Sequence, residues 1–178
     1  MKTRFLLLVF SFLLIAPQLS SARMMMPARI WRTYLLSTNP SQGTVRRHPP
    51  LRHDSRIVPE MLLASKIAGA RAVAHPSLLC WRYVKNALLR AHAVQSYPST
   101  IYAREAGAEL VSHHGFVRLP INNPDLAPVG SVLVYSGHGP GHVEIRTENG
   151  FVSDFRSSRA CPWQLIGIYT KLSPATAS

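Results

Sequence analysis

The spacing of apolar residues changes at Gly130, and this change constrains the fold more than any other feature of the chain. Before it, residues 78–93 place apolar side chains three and four positions apart, which is typical of one buried helix face. The members of this stripe are Cys80, Val84, Ala87, Leu88 and Ala91. After it, a period of two predicts short β-strands, at residues 131–135, 142–146, 151–155 and 164–171. Because helices come first and closely connected strands follow, we predict an α+β fold, with N-terminal helices packed on an antiparallel β-sheet meander.

Two further helices are predicted ahead of the strands. One covers residues 59–74, with Pro59 in its first turn, and the other covers residues 101–111, ahead of a turn at Gly115. Ser77 is a good N-cap for the helix over residues 78–93. This cap would make Cys80 the third residue of the first helical turn.

The first 22 residues have the pattern of a secretory signal peptide. Lys2 and Arg4 precede an apolar run over residues 5–16, and small residues lie just before residue 23. The run is shorter than the roughly 20 residues that a membrane-spanning helix needs. We therefore expect this leader to be cleaved and the mature protein to be secreted or periplasmic.

The rest of the chain divides by composition. Residues 23–74 are predicted to be a basic, partly flexible N-terminal arm that includes the helix near residues 59–74. Residues 75–173 are predicted to be the compact domain, and residues 174–178 a short tail. The length of 178 residues fits one domain with extensions.

Charge and cysteine content exclude several classes of protein. The chain has 20 basic and 8 acidic side chains, and loss of Lys2 and Arg4 with the leader leaves a charge of +10. Such a surface attracts anionic partners. Nucleic acid is one candidate, and anionic cell-wall polymers and membrane surfaces suit an exported protein better. We find no nucleic-acid-binding motif, and no segment after the leader is long and apolar enough to span a membrane. Two cysteines are too few for a disulfide scaffold or a four-thiolate zinc site.

Cys80 is predicted to lie near the N-terminus of a helix, where the helix itself creates an electrostatic potential. Free backbone N–H groups and the helix dipole concentrate positive potential at a helix N-terminus, which favours a thiolate. A cysteine on an apolar stripe is also a common small core residue, so this position alone leaves both roles open.

His142 supplies a second candidate group. It follows Gly141 at the start of a predicted strand, and His142, Glu144 and Arg146 alternate with apolar residues along it. A cysteine and a histidine are the minimal pair for thiol catalysis, in which the imidazole takes the proton and the thiolate attacks a carbonyl carbon. A surface role for a lone strand histidine is the alternative.

A third group is expected to orient the imidazole, and the hairpin register identifies it. A three-residue loop over Glu148-Asn149-Gly150 would pair Thr147 with Phe151 and bring Asp154 to the face of His142. A two-residue loop would pair Glu148 with Phe151 and bring Ser153 there instead. Because a carboxylate is the better imidazole partner, we predict the three-residue loop and Asp154, with Glu144 as the second choice.

These residues together resemble the CHAP and NlpC/P60 families, papain-like cysteine amidases and endopeptidases that cut bacterial peptidoglycan. The resemblance covers roughly residues 75–171. The matching pieces are Cys80 with Tyr83-Val84, the segment from Pro128 to Tyr135, and Gly141-His142-Val143-Glu144-Ile145. The chain departs from the usual patterns at Ser131, where an aspartate is common, and at Leu79-Cys80-Trp81, where NlpC/P60 proteins carry Asp-Cys-Ser.

The resemblance implies a papain-like fold and a site that needs no cofactor. It implies Cys80 as nucleophile, His142 as base and Asp154 as the third polar residue, acting on peptidoglycan stem peptides. Trp81, Tyr83, His138 and Glu144 are candidate substrate-binding residues, and Trp163 is a further aromatic that could line a pocket.

Three alternatives remain open from the sequence. A disulfide between Cys80 and Cys161 would make the chain a cationic binding module for anionic cell-surface polymers. A metal site could form if four histidines converged, namely His113, His114, His138 and His142. No acidic or thiolate ligand has the spacing that is characteristic of such a site. The third alternative is acyl transfer or deamidation, which would use the same thiol chemistry. Among these possibilities, we predict a peptidoglycan hydrolase without a metal.

Overall fold

The computed structural model describes residues 53–137 and 139–174. Predictions for the leader at residues 1–22, for residues 23–52 of the arm, for His138 and for nearly all of the tail lie outside the described residues. Within the described residues, no helix is long and apolar enough to cross a bilayer.

The described residues form three α-helices, two short 3₁₀ helices and six strands. The α-helices are α1 (Pro59–Arg71), α2 (Cys80–Arg90) and α3 (Ala106–His114), and the 3₁₀ helices are Ala103–Glu105 and Pro124–Leu126. The strands are β1 (Val117–Leu119), β2 (Val132–Tyr135), β3 (His142–Thr147), β4 (Gly150–Val152), β5 (Arg156–Ser157) and β6 (Leu165–Thr170).

All six strands belong to one antiparallel sheet, in the order β1-β6-β2-β3-β4-β5. Strands β2 to β5 follow one another as a meander, and β6 returns to pair between β1 and β2. The α+β class and the antiparallel sheet are therefore confirmed. The short strands β1 and β5 were not among the predicted elements, because segments of three and two residues carry too little periodicity to be recognised.

Apolar side chains cover both faces of the sheet. On one face, helices α1 and α2 pack against β2 and β3, and this cluster includes Met61, Val84, Leu88, Val132, Val143 and Ile145. On the other face, connecting segments cover a second cluster, which includes Leu133, Tyr135, Phe151, Phe155, Cys161 and Ile168. Strand β2 lies between these layers and is buried along its whole length, which explains its nearly unbroken apolar sequence.

Helix α1 belongs to the compact body rather than to the arm. Met61, Ala64 and Ala68 are buried in the same cluster as α2. Ile57 also pairs with Leu172 in an isolated antiparallel bridge.

Helix α2 begins two residues later than predicted. Its first residue is Cys80 and its N-cap is Leu79, whose side chain makes no cap and whose predecessor Leu78 has a left-handed φ of 64°. Ser77 does not cap this helix, because its N–H and Oγ both donate to Asp154. Cys80 is consequently the first residue of the helix, not the third.

The hairpin between β3 and β4 has neither of the two registers weighed from the sequence. Thr147 pairs with Gly150 and Arg146 with Phe151, so the turn consists of Glu148 and Asn149. The predicted three-residue loop is wrong because Gly150, at φ 125°, is a strand residue in close contact with the backbone of Ser157 on β5. The ladder ends at Val152, so the predicted strand over residues 151–155 is also too long.

Candidate active site

Cys80 lies at the amino end of α2. The first helical hydrogen bond runs from the Tyr83 N–H to the Leu79 carbonyl at 3.0 Å. The N–H groups of Cys80 and the two residues after it therefore precede the helical ladder, and their positive potential surrounds the Cys80 side chain. Cys80 is partly exposed.

A tightly packed glycine loop sets the position of His142. Gly141 has a φ of 76°, and a Cβ there would lie 2.6 Å from the Tyr135 carbonyl and 2.8 Å from Arg104 Cβ. The Arg104 N–H donates to the Pro140 carbonyl at 2.9 Å, and Nη1 of the same residue donates to the Gly139 carbonyl at 2.7 Å. These contacts fix the backbone conformation ahead of β3. His142 is the first residue of that strand, and its side chain is 2% exposed.

Glu144 lies beside the imidazole. Its Oε2 is 3.6 Å from His142 Nε2, and both side chains are almost fully buried. Its Oε1 accepts hydrogen bonds from Tyr135 Oη at 2.7 Å and from the Cys161 N–H at 3.2 Å. These two donors fix the carboxylate in place against the histidine.

The contacts of His142 determine its protonation. Burial by itself lowers the pKa of an imidazole, but bonding to Cys80 and Glu144, together with their negative charges, raises the pKa of His142 to about 10. Cys80 and Glu144 are therefore the two groups that act on the imidazole. At neutral pH this raised pKa favours the protonated imidazole of His142, with the side chains of Cys80 and Glu144 beside it.

Asp154 lies elsewhere. With Arg146 paired to Phe151, His142 and Glu144 share a face with Ser153, and Asp154 belongs to the opposite side. Its Oδ2 accepts from the Ser77 N–H at 2.6 Å, from Ser77 Oγ at 2.9 Å and from the Leu79 N–H at 3.3 Å. The carboxylate beside His142 is that of Glu144, the second choice, which lies two residues along the same strand whichever register the hairpin adopts.

The remaining predicted residues have different surroundings. Trp81 is 4% exposed and its Nε1 donates to the carbonyl and hydroxyl oxygens of Thr100, both at 3.1 Å, which places it in the core rather than in a cleft. Tyr83 is half-buried on α2, and His138 is outside the described residues.

Two aromatic rings flank the imidazole instead. The Trp163 ring is edge-on to the His142 ring, with centroids 6.2 Å apart, and the Tyr135 ring is 6.1 Å away. Trp163 also packs directly over Gly137, where a Cβ would collide with the indole. Tyr135 was missed as a site residue, although it closes a predicted strand and pairs with His142 in the sheet.

Within the described residues, which do not include His138, neither alternative site from the sequence is assembled. Cys80 and Cys161 are both free thiols, and burial raises the pKa of the Cys161 thiol. Among residues 53–137 and 139–174, no group of three or more His, Cys, Asp or Glu side chains could hold a metal ion. His113 and His114 end α3, whereas His142 begins β3.

Comparison with known proteins finds similarity among solved structures only. No family model matches the sequence, and no curated protein matches it. The type VI native effector–immunity complex Tae3–Tai3 from Ralstonia pickettii is similar at 20% identity and a TM-score of 0.49, covering 62% of this chain and 98% of that chain. A selenomethionine form of the Tae3–Tai3 complex from Ralstonia pickettii is similar at 23% identity and a TM-score of 0.44, covering 53% and 80%.

Proposed function

We propose that this protein is an exported cysteine hydrolase that cleaves amide bonds of bacterial peptidoglycan. The observation that carries the proposal is the buried His142 imidazole, whose Nε2 lies 3.6 Å from Glu144 Oε2 and whose pKa is raised by its contacts with Cys80 and Glu144. This combination of nucleophile, acid and orienting carboxylate is what thiol-dependent amide hydrolysis requires.

Acylation follows from the positions of these groups. The Cys80 thiolate attacks the carbonyl carbon of the amide, and the electron pair of the carbonyl bond moves to its oxygen. The Cys80 backbone N–H, free at the first turn of α2, is placed to donate to this oxyanion. The imidazolium of His142 gives its proton to the leaving nitrogen, the C–N bond breaks, and a thioester with Cys80 remains.

Deacylation reverses the roles. The neutral imidazole takes a proton from water as the water oxygen attacks the thioester carbon. The C–S bond breaks, the carboxylic acid product leaves, and the thiolate and imidazolium are restored. Glu144 holds the imidazole in orientation throughout, because Tyr135 and the Cys161 N–H hold Glu144.

Charge and the predicted leader support the choice of substrate. The chain carries a net charge of +12, which favours residence on an anionic polymer. A cleaved leader at residues 1–22 would deliver the protein to the compartment where the cell wall lies. The resemblance of the Cys80 and His142 segments to CHAP and NlpC/P60 enzymes points to the peptide stems as the part that is cut, with a papain-like arrangement of helix and sheet.

The test compares wild-type protein lacking the leader with its Cys80→Ala variant on purified peptidoglycan. We expect the wild type to release soluble stem fragments, whose masses identify the cleaved bond, and the variant to release none. Cys161→Ala removes the other cysteine and is expected to retain hydrolysis, because the Cys161 side chain takes no part in the steps above.

Two results would contradict the proposal. Release of fragments by Cys80→Ala would show that another group, or a contaminant, cleaves the wall. Binding of wall polymers without release by the wild type, together with a Cys80–Cys161 disulfide in the purified protein, would instead support the cationic binding module.

A further inference from the structure

Asp154 is the centre of the connection between α1 and α2. Its Oδ2 accepts hydrogen bonds from the N–H and Oγ of Ser77 and from the N–H of Leu79, and its Oδ1 accepts from Ser153 Oγ. Its backbone carbonyl accepts from the Val73 N–H at 2.8 Å. The carboxylate is 1% exposed. Asp154 therefore forms hydrogen bonds with both ends of the loop that precedes Cys80.

The loop is strained where Asp154 holds it. Leu78 lies between the two bound N–H groups and has a φ of 64°, a conformation that side chains with a Cβ rarely adopt. Packing does not compensate for this strain, because the side chains of Leu78 and Leu79 are 51% and 41% exposed. Hydrogen bonds to Asp154 are what the described structure offers to hold this turn.

We propose that Asp154 is a positioning residue, which keeps Leu78 in its left-handed conformation and thereby sets Cys80 at the start of α2, beside His142. This inference rests on the proposed function only in taking Cys80 as the nucleophile. Asp154 acts through the backbone of the loop and does not contact the reacting groups.

The role requires an acceptor at Oδ2, not a negative charge. All three of its partners are donors, so an asparagine oxygen can replace Oδ2 while its NH₂ group faces Ser153 Oγ, which can accept. A carboxylate near the amino end of α2 also opposes the charge of a neighbouring thiolate. Asp154→Asn and Asp154→Ala are therefore expected to behave differently.

The experiment measures the rate at which iodoacetamide alkylates Cys80, with peptide mass spectrometry to locate the label. At about pH 6, Asp154→Ala is expected to be about tenfold slower than wild type, the factor that corresponds to the ordinary cost of a left-handed non-glycine residue. Asp154→Asn is expected to react within about twofold of wild type or faster, since the acceptor is kept. At about pH 10 the rates should converge, because thiols ionise there without help from the imidazolium.

A second substitution tests the strain directly. Leu78→Gly places a residue that adopts positive φ without cost, so the double variant Leu78→Gly with Asp154→Ala is expected to recover to within about threefold of wild type. Glu148→Ala removes an exposed carboxylate from the turn of the same hairpin and is the matched control, with an unchanged rate expected. Circular dichroism and the thermal midpoint of each variant establish that it is folded during the assay.

Three results would overturn the inference. An unchanged rate in folded Asp154→Ala would show that the loop holds itself. An equal loss in Asp154→Asn would show that the charge is needed, and failure of Leu78→Gly to restore the double variant would show that strain is not involved. Because alkylation needs no substrate, these outcomes are independent of peptidoglycan cleavage, whose absence would remove the proposed function but leave the positioning result intact.

Discussion

At the scale of single residues, the carboxylate of Glu144 is one of two groups, after Cys80, whose contacts raise the pKa of His142. It is buried, it is held by the Tyr135 hydroxyl and the Cys161 N–H, and its free oxygen lies 3.6 Å from His142 Nε2. Without an acidic partner, a histidine that is only 2% exposed would have a pKa below the usual value for histidine, because burial disfavours the charged form. The activity of the site should therefore respond to Glu144 through the titration of His142.

Glu144→Gln is expected to move the alkaline limit of hydrolysis to lower pH. The pKa of His142 is raised to about 10, so its proton is present below that pH and is lost as the pH rises through it. Removing the charge of Glu144 should lower this limit by about one pH unit or more and reduce the rate near neutrality. The measurement is the pH profile of peptidoglycan cleavage, with exposed Glu148→Gln as the control; an unmoved alkaline limit would contradict this role of Glu144.

Tyr135→Phe tests the support behind Glu144. The substitution removes a 2.7 Å hydrogen bond to a buried carboxylate while keeping the ring, so we expect a loss of about 1.5–3 kcal/mol in the free energy of unfolding. Urea denaturation measures this loss. Tyr97→Phe is the matched control, because Tyr97 is 46% exposed and should change stability by less than about 0.5 kcal/mol. Equal effects of the two substitutions would show that the Tyr135 hydroxyl contributes nothing.

At the scale of elements, the site depends on two connections more than on the strands themselves. The loop ahead of α2 places Cys80, and the glycine loop ahead of β3 places His142. The second is held by Arg104, whose backbone and side chain both bond to carbonyl groups of that loop. A change in either connection displaces one reacting group while leaving the sheet intact.

Gly141→Ala and Gly69→Ala are expected to have opposite effects. A Cβ on Gly141 would crowd the Tyr135 carbonyl and Arg104 at a φ of 76°, whereas a Cβ on Gly69 in α1 meets no atom within 4 Å. We expect the first to cost about 1–3 kcal/mol of stability and to lower activity by displacing His142. The second should add about 0.5–1 kcal/mol, as alanine does for glycine in a helix. Thermal unfolding and cleavage assays measure both, and a Gly141→Ala protein as active and stable as wild type would refute the crowding argument.

At the scale of the whole molecule, another buried carboxylate links the segment between α2 and α3 to helix α3. Glu109 of α3 is 6% exposed and accepts hydrogen bonds from the N–H and hydroxyl groups of both Ser99 and Thr100. Burial raises the pKa of this carboxyl, but these four bonds outweigh it and lower the pKa to about 2. Glu109 therefore fixes the segment between α2 and α3 to the body of the protein.

The stability of the protein should consequently fall at both extremes of pH. The contribution of Glu109 is present above its ordinary pKa of 4.5 and is lost as the pH falls through about 2. The contribution of His142 is complete below its ordinary pKa of 6.5 and is lost as the pH rises through about 10. Urea midpoints across this range measure both. Glu109→Gln should lower the free energy of unfolding by on the order of 3 kcal/mol near neutrality and weaken the loss of stability at acid pH. If the variant lost stability at acid pH as steeply as wild type, this role of Glu109 would be contradicted.

The sequence by itself determined the period of each segment and the residue types of the proposed cysteine–histidine pair. The stripe from Val84 to Ala91 predicted a buried helix face, and the period of two after Gly130 predicted strands, because both depend on neighbours along the chain. The positions of Cys80 near a helix start and of His142 at a strand start were likewise predicted from the sequence, and in the structure the two side chains are in contact.

Only the tertiary structure decided the register and the loop conformations. Gly150 belongs to a strand because it contacts the backbone of Ser157, and this sets a hairpin register that the sequence did not predict. The carboxylate of Asp154 accepts hydrogen bonds from Ser77 and Leu79, whereas that of Glu144 lies beside His142. Ser77 bonds to a carboxylate 77 positions away rather than capping the helix that follows it. Each of these outcomes depends on contacts between distant segments, and the local preferences of a sequence do not contain them.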